Sequence, residues 1–356
     1  MHTAILIGNG LNRCFSEDLA WSKVLAEASR RLKVEADSVC VVQPTFYFEY
    51  IMNKAVGKPD VTVFSKDNDI YYEQKVKVAE IIGETAEKTV PQMGYYQKFT
   101  QEMTQSVILT TNYDYLLERS FVPGFVPTKN GADGRTRANS IKYSLNLKNE
   151  VLTADGVHKA ICHVHGELGL QRTICLGFGH YSGAIGKIKE ILNKYNKNVL
   201  SEWLRQDKNA DRTVEALISD ATVATRFTDD DKVKKEDKRK KAIEESVRAL
   251  NECWASVFFS HDLHIVGFGL DFSELDIWWL IQHRSYLKNF VPSFENLINN
   301  KIIFHNIVKK ERSDETCAKE RFLAGFGVAC EHIQLDASGY KETYSRILAS
   351  IKPKTE

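Results

Sequence analysis

Residues 107–120 read VILTTNYDYLLERS: a short apolar run reaching Thr110 and Thr111, then Asn112, Tyr113 and Asp114, then an apolar segment compatible with a helix. Three other stretches repeat this order of strand, loaded tip and helix. Ala4–Ile7 runs into GNGLN, Ile161–Val164 into HGELG, and Leu263–Val266 into GFGLD. Two further apolar runs, Lys301–Phe304 and Val328–Leu335, complete six predicted strands. Short strands with few polar residues, alternating with helical segments, predict a parallel sheet covered on both faces. In such sheets ligands bind in the crevice outside the carboxyl ends of the strands. The expected fold is α/β: a doubly wound, mostly parallel, Rossmann-like sheet whose tips carry the chemistry.

Residues 1–15, 105–180 and 255–356 hold these strands and form the predicted Rossmann-like domain. Residues 16–104 and 181–254 read as helical insertions that make a smaller helical domain or a lid. Leu19, Leu25 and Leu32 mark the first helical stretch, and PTFYFEYIM at 44–52 opens another. Ile185, Ile188, Leu192, Tyr195 and Val199 step by three and four, as do Ile243, Val247, Leu250 and Trp254, so each set forms an apolar stripe. Between them TDDDKVKKEDKRKK at 228–241 mixes acids with bases and reads as an exposed loop or a solvated helix start.

The bulk numbers exclude several classes. The chain has 356 residues, 43% hydrophobic and 27% charged, which suits a globular protein with a sizeable core. Lys plus Arg number 48 against 47 Asp plus Glu, so no global field draws the chain to nucleic acid or a membrane surface, and direct nucleic-acid binding is not expected. Apolar runs fall short of a membrane span, and Met1-His2-Thr3-Ala4 lacks the basic flank of a signal peptide. Seven cysteines (Cys14, Cys40, Cys162, Cys175, Cys253, Cys317 and Cys330) include no C-x-x-C pair. That argues against a disulfide framework and a structural zinc site, and for free thiols in the cytoplasm.

Each tip admits two readings. Gly8 and Gly10 suit either a tight turn or the approach of backbone N–H groups to phosphate; the third glycine of a dinucleotide fingerprint is missing. Asn12 adds a side-chain donor. A capped helix start accounts for Asp114, with Asn112 as an Asx-turn residue, but a cap needs one such side chain, which leaves Thr-Thr-Asn unexplained. In ICHVHGELG, His163 and His165 alternate with Cys162 and Val164 and so share a face. No third metal ligand sits at suitable spacing, and no metal is expected. His165 is either a structural histidine or a base whose ordinary pKa of about 6.5 suits work near neutrality, with Gly166 permitting a turn and close ligand approach. In HIVGFGLDFSELDIWW, Gly267 and Gly269 would admit a second part of the nucleotide. Asp271, Ser273 and Asp276 read as helix-start residues, and Trp278 and Trp279 as core.

The ordered set of glycine turn, Thr-Thr-Asn-x-Asp, His-Gly and second glycine turn resembles the sirtuin superfamily. The resemblance spans the sheet-forming half of the chain; TTNYDYLLE and HVHGELG are its most specific parts, with ILIGNGLN and IVGFGLD in support. It implies catalytic positions for Asn112 and His165, a ribose pocket flanked by Thr111 and Asp114, and an NAD+ site lined by Gly8, Gly10, Asn12, Gly267 and Gly269, with Asn306 near the adenosine ribose. Deacylating sirtuins carry a four-cysteine zinc module and an alanine-glycine-isoleucine-proline continuation of the first loop; this chain has neither. It is more similar to the sirtuin-like NADases of bacterial antiphage defence, and its IGNGLN start also resembles the AbiH abortive-infection proteins. The implied activity is hydrolysis of NAD+ to nicotinamide and ADP-ribose, in a homo-oligomer and with a separately encoded partner such as a HerA-like DNA translocase. A deacylase or ADP-ribosyltransferase using the same site is one alternative, and a non-catalytic NAD+- or ADP-ribose-binding subunit is another.

Overall fold

Seven strands form one sheet in the computed structural model: β1 (Thr3–Ile7), β2 (Val107–Thr110), β3 (Lys148–Leu152), β4 (His158–His163), β5 (Asp262–Val266), β6 (Ile302–Val308) and β7 (Val328–Gln334). The structure describes residues 2–35, 43–56, 69–89, 93–127, 145–146, 148–200, 230–291, 294, 297–308, 313–335 and 337–352. The strand order is β3-β4-β2-β1-β5-β6-β7, parallel throughout except for β3 against β4. The six expected strands are present, and the α/β architecture holds. Strand β3 adds to them; the sequence hides it because KNEVL opens on three polar residues, Lys148, Asn149 and Glu150, and ends on two apolar ones. It is a sheet edge on which Asn149 and Val151 point inward while Lys148, Glu150 and Leu152 are exposed. Such half-solvated alternation belongs to an antiparallel edge rather than to a buried parallel strand.

The position of β1 follows from its composition. Thr-Ala-Ile-Leu-Ile offers apolar groups to both faces and is buried along its whole length between β2 and β5. Alternation then divides the core. Ala4 and Leu6 join Leu109, Leu263 and Ile265 on one face, and Ile5 and Ile7 join Ile108, Ile161 and Val266 on the other. The helices Phe178–Tyr195 and Asp230–Glu252 pack onto the first face through Ile188, Leu192, Tyr195, Val247 and Leu250. Their predicted stripes are therefore buried except at Ile185 and Ile243, which are half-buried; the side chain of Val199 lies outside the described residues. The charged run begins outside them and becomes the start of the helix Asp230–Glu252.

The first insertion behaves differently. Its helices Trp21–Arg31, Pro44–Val56 and Asp69–Thr89 make an apolar cluster of their own, with Val24, Leu25, Phe48, Ile51, Val78 and Ile82. That cluster also takes in Tyr113, Ile174 and Leu176, so it sits over the tips of β2 and β4. Cys14, Cys162, Cys175, Cys253, Cys317 and Cys330 are free thiols, and Cys40 lies outside the described residues.

The chain runs from β1 out to β2 and β4, then returns past β1 to β5, β6 and β7. The reversal falls between β1 and β5, where a doubly wound sheet opens its crevice. Two backbone hydrogen bonds fasten the tips there: Gly8 N–H to the Val266 carbonyl at 3.1 Å, and Gly10 N–H to the Gly267 carbonyl at 2.7 Å. A Cβ on Gly8 would stand 2.4 Å from Phe268 Cα, and one on Gly10 would stand 2.6 Å from the Gly267 oxygen. These glycines are required by the approach of one turn to the other. Gly8→Ala is predicted to cost about 1–3 kcal/mol, as overpacking against unyielding backbone does. Gly94→Ala, in a helix with nothing within 4 Å of the added Cβ, should be neutral or stabilising. Thermal unfolding of the two variants checks the contrast.

Candidate functional site

A cleft of about 450 Å³ lies at the carboxyl ends of β1, β5 and β6. Asn9, Gly10 and Arg13 line it from the first tip, Gly267, Phe268 and Gly269 from the fifth strand's tip, and Phe304–Ile307 from β6. Trp21, Leu25 and Phe48 of the first helical insertion line it too. Beside it is a cavity of about 30 Å³ lined by Thr111, Asn112, Asp114, His165 and Glu274. Asn9, Trp21, Thr111, Tyr113 and Glu274 line both. The smaller space is large enough for one or two water molecules, since about 10–15 Å³ is the minimum for one.

The fold thus brings Asn112 and His165 to one cavity. Thr111 and Asp114 line it with them, and Thr111, Gly10, Gly267, Gly269 and Asn306 line the cleft. The side-chain amide of Asn112 makes no hydrogen bond among the described residues, while its own backbone is held firmly. Its N–H donates to Thr110 Oγ1 at 3.1 Å, and its carbonyl faces His163 Nδ1 at 2.7 Å. Among the described residues the amide is thus left for whatever enters the cavity that Asn112 lines.

Several predicted contacts point elsewhere. Asn12 is fully buried, donating through Nδ2 to Asp114 Oδ2 at 2.8 Å and accepting the Tyr96 hydroxyl on Oδ1 at 2.7 Å. It therefore braces Asp114 instead of facing the cleft. Asp114 also accepts the Leu116 N–H on Oδ1 at 3.0 Å, at the first turn of the helix Leu116–Phe121, and burial lifts its carboxyl to about 6. The N–H groups of Gly8 and Gly10, expected to reach a phosphate, are already bonded to the β5 turn. Gly8 itself does not border the cleft. At Gly166 (φ +94°) the turn is present, but the close approach is made by the chain's own Thr173, 2.4 Å from where a Cβ would sit. Asn306 lies within β6, not beyond it, and donates to Glu320 at 2.7 Å.

The two histidines have separate surroundings. His163 Nε2 meets Glu118 at 2.6 Å, both residues essentially inaccessible to solvent. Asn149 of the edge strand β3 donates to Glu118 at 2.8 Å and to Glu167 at 3.1 Å. Burial opposes protonation of His163, and the Glu118 carboxylate outweighs it, raising the imidazole to about 9. His165 lies between two carboxylates that begin the helix Leu275–Phe290: Nε2 to Asp276 Oδ1 at 3.1 Å and Nδ1 to Glu274 Oε2 at 3.5 Å. Burial again opposes the charge, Asp276 and Glu274 overcome it, and the ring reaches about 9. Glu274, whose Oε2 also accepts the Tyr181 hydroxyl at 3.1 Å, is raised to about 7, by burial first and against the pull of His165.

His165, Glu274 and Asp276 are also the group among the described residues whose ligand atoms, all within 4.8 Å of one another, are spaced for a cation. Sequence spacing offers no such third ligand; the fold imports two from more than a hundred residues downstream. Each ring nitrogen nevertheless faces a different carboxylate, an arrangement that clamps an imidazolium. Sequence reasoning misses both Glu274 and Glu118. A carboxylate pair at i and i+2 just after GFGLD is the available signal for Glu274, whereas Glu118 has the pattern of any helical glutamate.

No known family model matches the chain, and no curated protein sequence matches it.

His163 and His165 carry raised folded-state values against an ordinary 6.5, so their contribution to stability is complete below about 6.5 and lost as pH rises through about 9. Glu274 and Asp114, also raised, act in the same direction in a lower window. The melting temperature is therefore predicted to fall between pH 6.5 and 9. Glu118→Ala, which leaves His163 without its buried partner, should cost about 3–5 kcal/mol. Differential scanning calorimetry across that range checks both.

Proposed function

We propose that this chain is a sirtuin-like NAD+ hydrolase, cleaving the bond between nicotinamide and ribose to give nicotinamide and ADP-ribose. The observation that carries the reading is the pair of adjoining spaces: a cleft at the switch point of a doubly wound sheet, and next to it a water-sized cavity bearing an unpartnered Asn112 amide and the His165 carboxylate clamp. Nucleotides bind at such switch points.

The reaction suits this chemistry. Nicotinamide leaves as a neutral ring whose positive charge is cancelled by the bonding pair it takes, so no acid is needed to protonate it. What the reaction needs is stabilisation of an oxocarbenium-like ribose and a water held against C1′. With Glu274 ionised, the two carboxylates outweigh the His165 charge between them by one, which leaves net negative charge next to the cavity, and Asn112 would hold the ribose or the water. Arg13 lines the cleft on the β1 side, toward which the diphosphate would extend. Orientation of this kind contributes about 7–11 kcal/mol, and a positioned base adds about 10²–10⁴-fold. The absence of a paired-cysteine zinc module, visible in the sequence, separates the chain from protein-deacylating sirtuins. On the resemblance alone, the activity would deplete NAD+ in antiphage defence, in the cytoplasm, within a homo-oligomer that acts with a HerA-like translocase. No helix among the described residues is long and apolar enough to cross a membrane.

Chromatography of the purified chain incubated with NAD+, alone and with its partner, should show nicotinamide and free ADP-ribose in equal amounts. Asn112→Ala and His165→Ala should each lower the rate by at least about 10²-fold, with folding checked by thermal unfolding. Acetyl-ADP-ribose or labelled protein in place of free ADP-ribose would assign a transferase instead. Wild-type turnover by both variants would remove the site assignment.

A further inference from the structure

Building on the hydrolase reading, we propose that Glu274 is the catalytic base that takes the proton from the attacking water, with His165 and Asp276 as its positioning residues. Glu274 lines the cleft and the water-sized cavity alike, whereas His165 lines the cavity alone and Asp276 neither. Its side chain keeps 15% of its surface exposed, against 2% for His165 and none for Asp276. It stands just before the helix Leu275–Phe290, at φ −76° and ψ 63°, outside the helical rows. Oε2 is fixed by the Tyr181 hydroxyl and His165 Nδ1, while Oε1 has no hydrogen bond among the described residues and keeps its lone pairs for a water.

His165 is poorly disposed for that task. Both of its nitrogens face carboxylates, so accepting a proton requires first losing one from a hydrogen-bonded ion pair. Held charged, the ring does something else: it orients Glu274 and keeps part of it ionised. The groups facing Glu274 are His165 after β4, Tyr181 of the helix Phe178–Tyr195, Tyr113 at the β2 tip, Cys175, and Asp271 and Asp276 of its own turn. Burial and the two aspartates raise its carboxyl and His165 lowers it, to about 7, so the base is available above neutrality.

The step balances without a further reactant. Water oxygen forms a bond to ribose C1′ as the C1′–N bond breaks, and that electron pair leaves with nicotinamide. The water proton passes to Glu274 Oε1 and then to solvent through the cleft, and nothing is oxidised or reduced.

The experiment is the pH dependence of kcat and KM for NAD+ cleavage by the assembled wild type, Glu274→Gln, Glu274→Asp and Glu274→Ala, the last also with added formate. Wild-type kcat should rise with pH through about 7. Glu274→Gln should lose about 10²–10⁴-fold in kcat with KM nearly unchanged and the rising limb gone. Glu274→Asp should keep the limb at a reduced rate, and formate, a carboxylate small enough for the vacated volume, should restore turnover to Glu274→Ala. A limb near 9 in the wild type would return the role to His165, and an undiminished Glu274→Gln would overturn the proposal while leaving NAD+ hydrolysis intact. An assembled wild type that releases no nicotinamide would overturn the hydrolase reading and this one with it.

Discussion

The site depends on one close approach, that of the β1 tip to the β5 tip. Gly8 and Gly10 donate to the carbonyls of Val266 and Gly267, and a single methyl group on either would meet backbone atoms. With the two turns fastened, the β5 loop passes through left-handed backbone at Gly267 and again at Leu270, φ +45°. The latter is unusual, since a bulky residue there carries about 1–3 kcal/mol of strain. That path starts the next helix where Glu274 and Asp276 meet His165. The constraint at one edge of the crevice thereby sets the electrostatics of the other.

His163 and His165, two positions apart, have different surroundings. His163 is sealed among Glu118, Asn112 and Tyr115, and its role is to pin the Asn112 carbonyl, which leaves the Asn112 amide turned to the cavity. A buried ion pair of this kind adds little net stability over an apolar substitute but is expensive to break. Its yield is orientation. His165 borders the cavity instead, and the charge it holds is set by the buried Asp276 and by Glu274, which faces the cleft.

The sheet is legible because its strands are apolar and short, and its tips are legible because polar residues interrupt them abruptly. Asn112, Thr111 and His165 can be placed at one crevice from that pattern alone. Asn12 cannot, because a side-chain donor in a glycine turn reads the same whether it faces a ligand or braces Asp114. The glycine turns likewise read as phosphate cradles when their immediate work is mutual contact. Glu118, Glu274 and Asp276 gain their meaning from partners 45 to 111 residues away, and no local period or spacing encodes such a pairing. Edge strand β3 escapes for a related reason: its outward polar residues hide the inward Asn149 that joins Glu118 to Glu167.

The relative sizes of the two spaces bear on which acceptor the site would use. A cavity of about 30 Å³ is sized for water and would have to widen for a lysine side chain or an acyl group, whereas the cleft of about 450 Å³ is large enough to take much of a dinucleotide. The charges follow the same division: Glu274 where cavity and cleft meet, near the ribose on which positive charge would grow, and Arg13 on the cleft wall, where phosphates would lie. A transferase would need the inner space opened, and what closes it is Trp21, Val24 and Ile82 from the first helical insertion. On this reading the insertion is part of the specificity of the site, because it sets the size of the nucleophile.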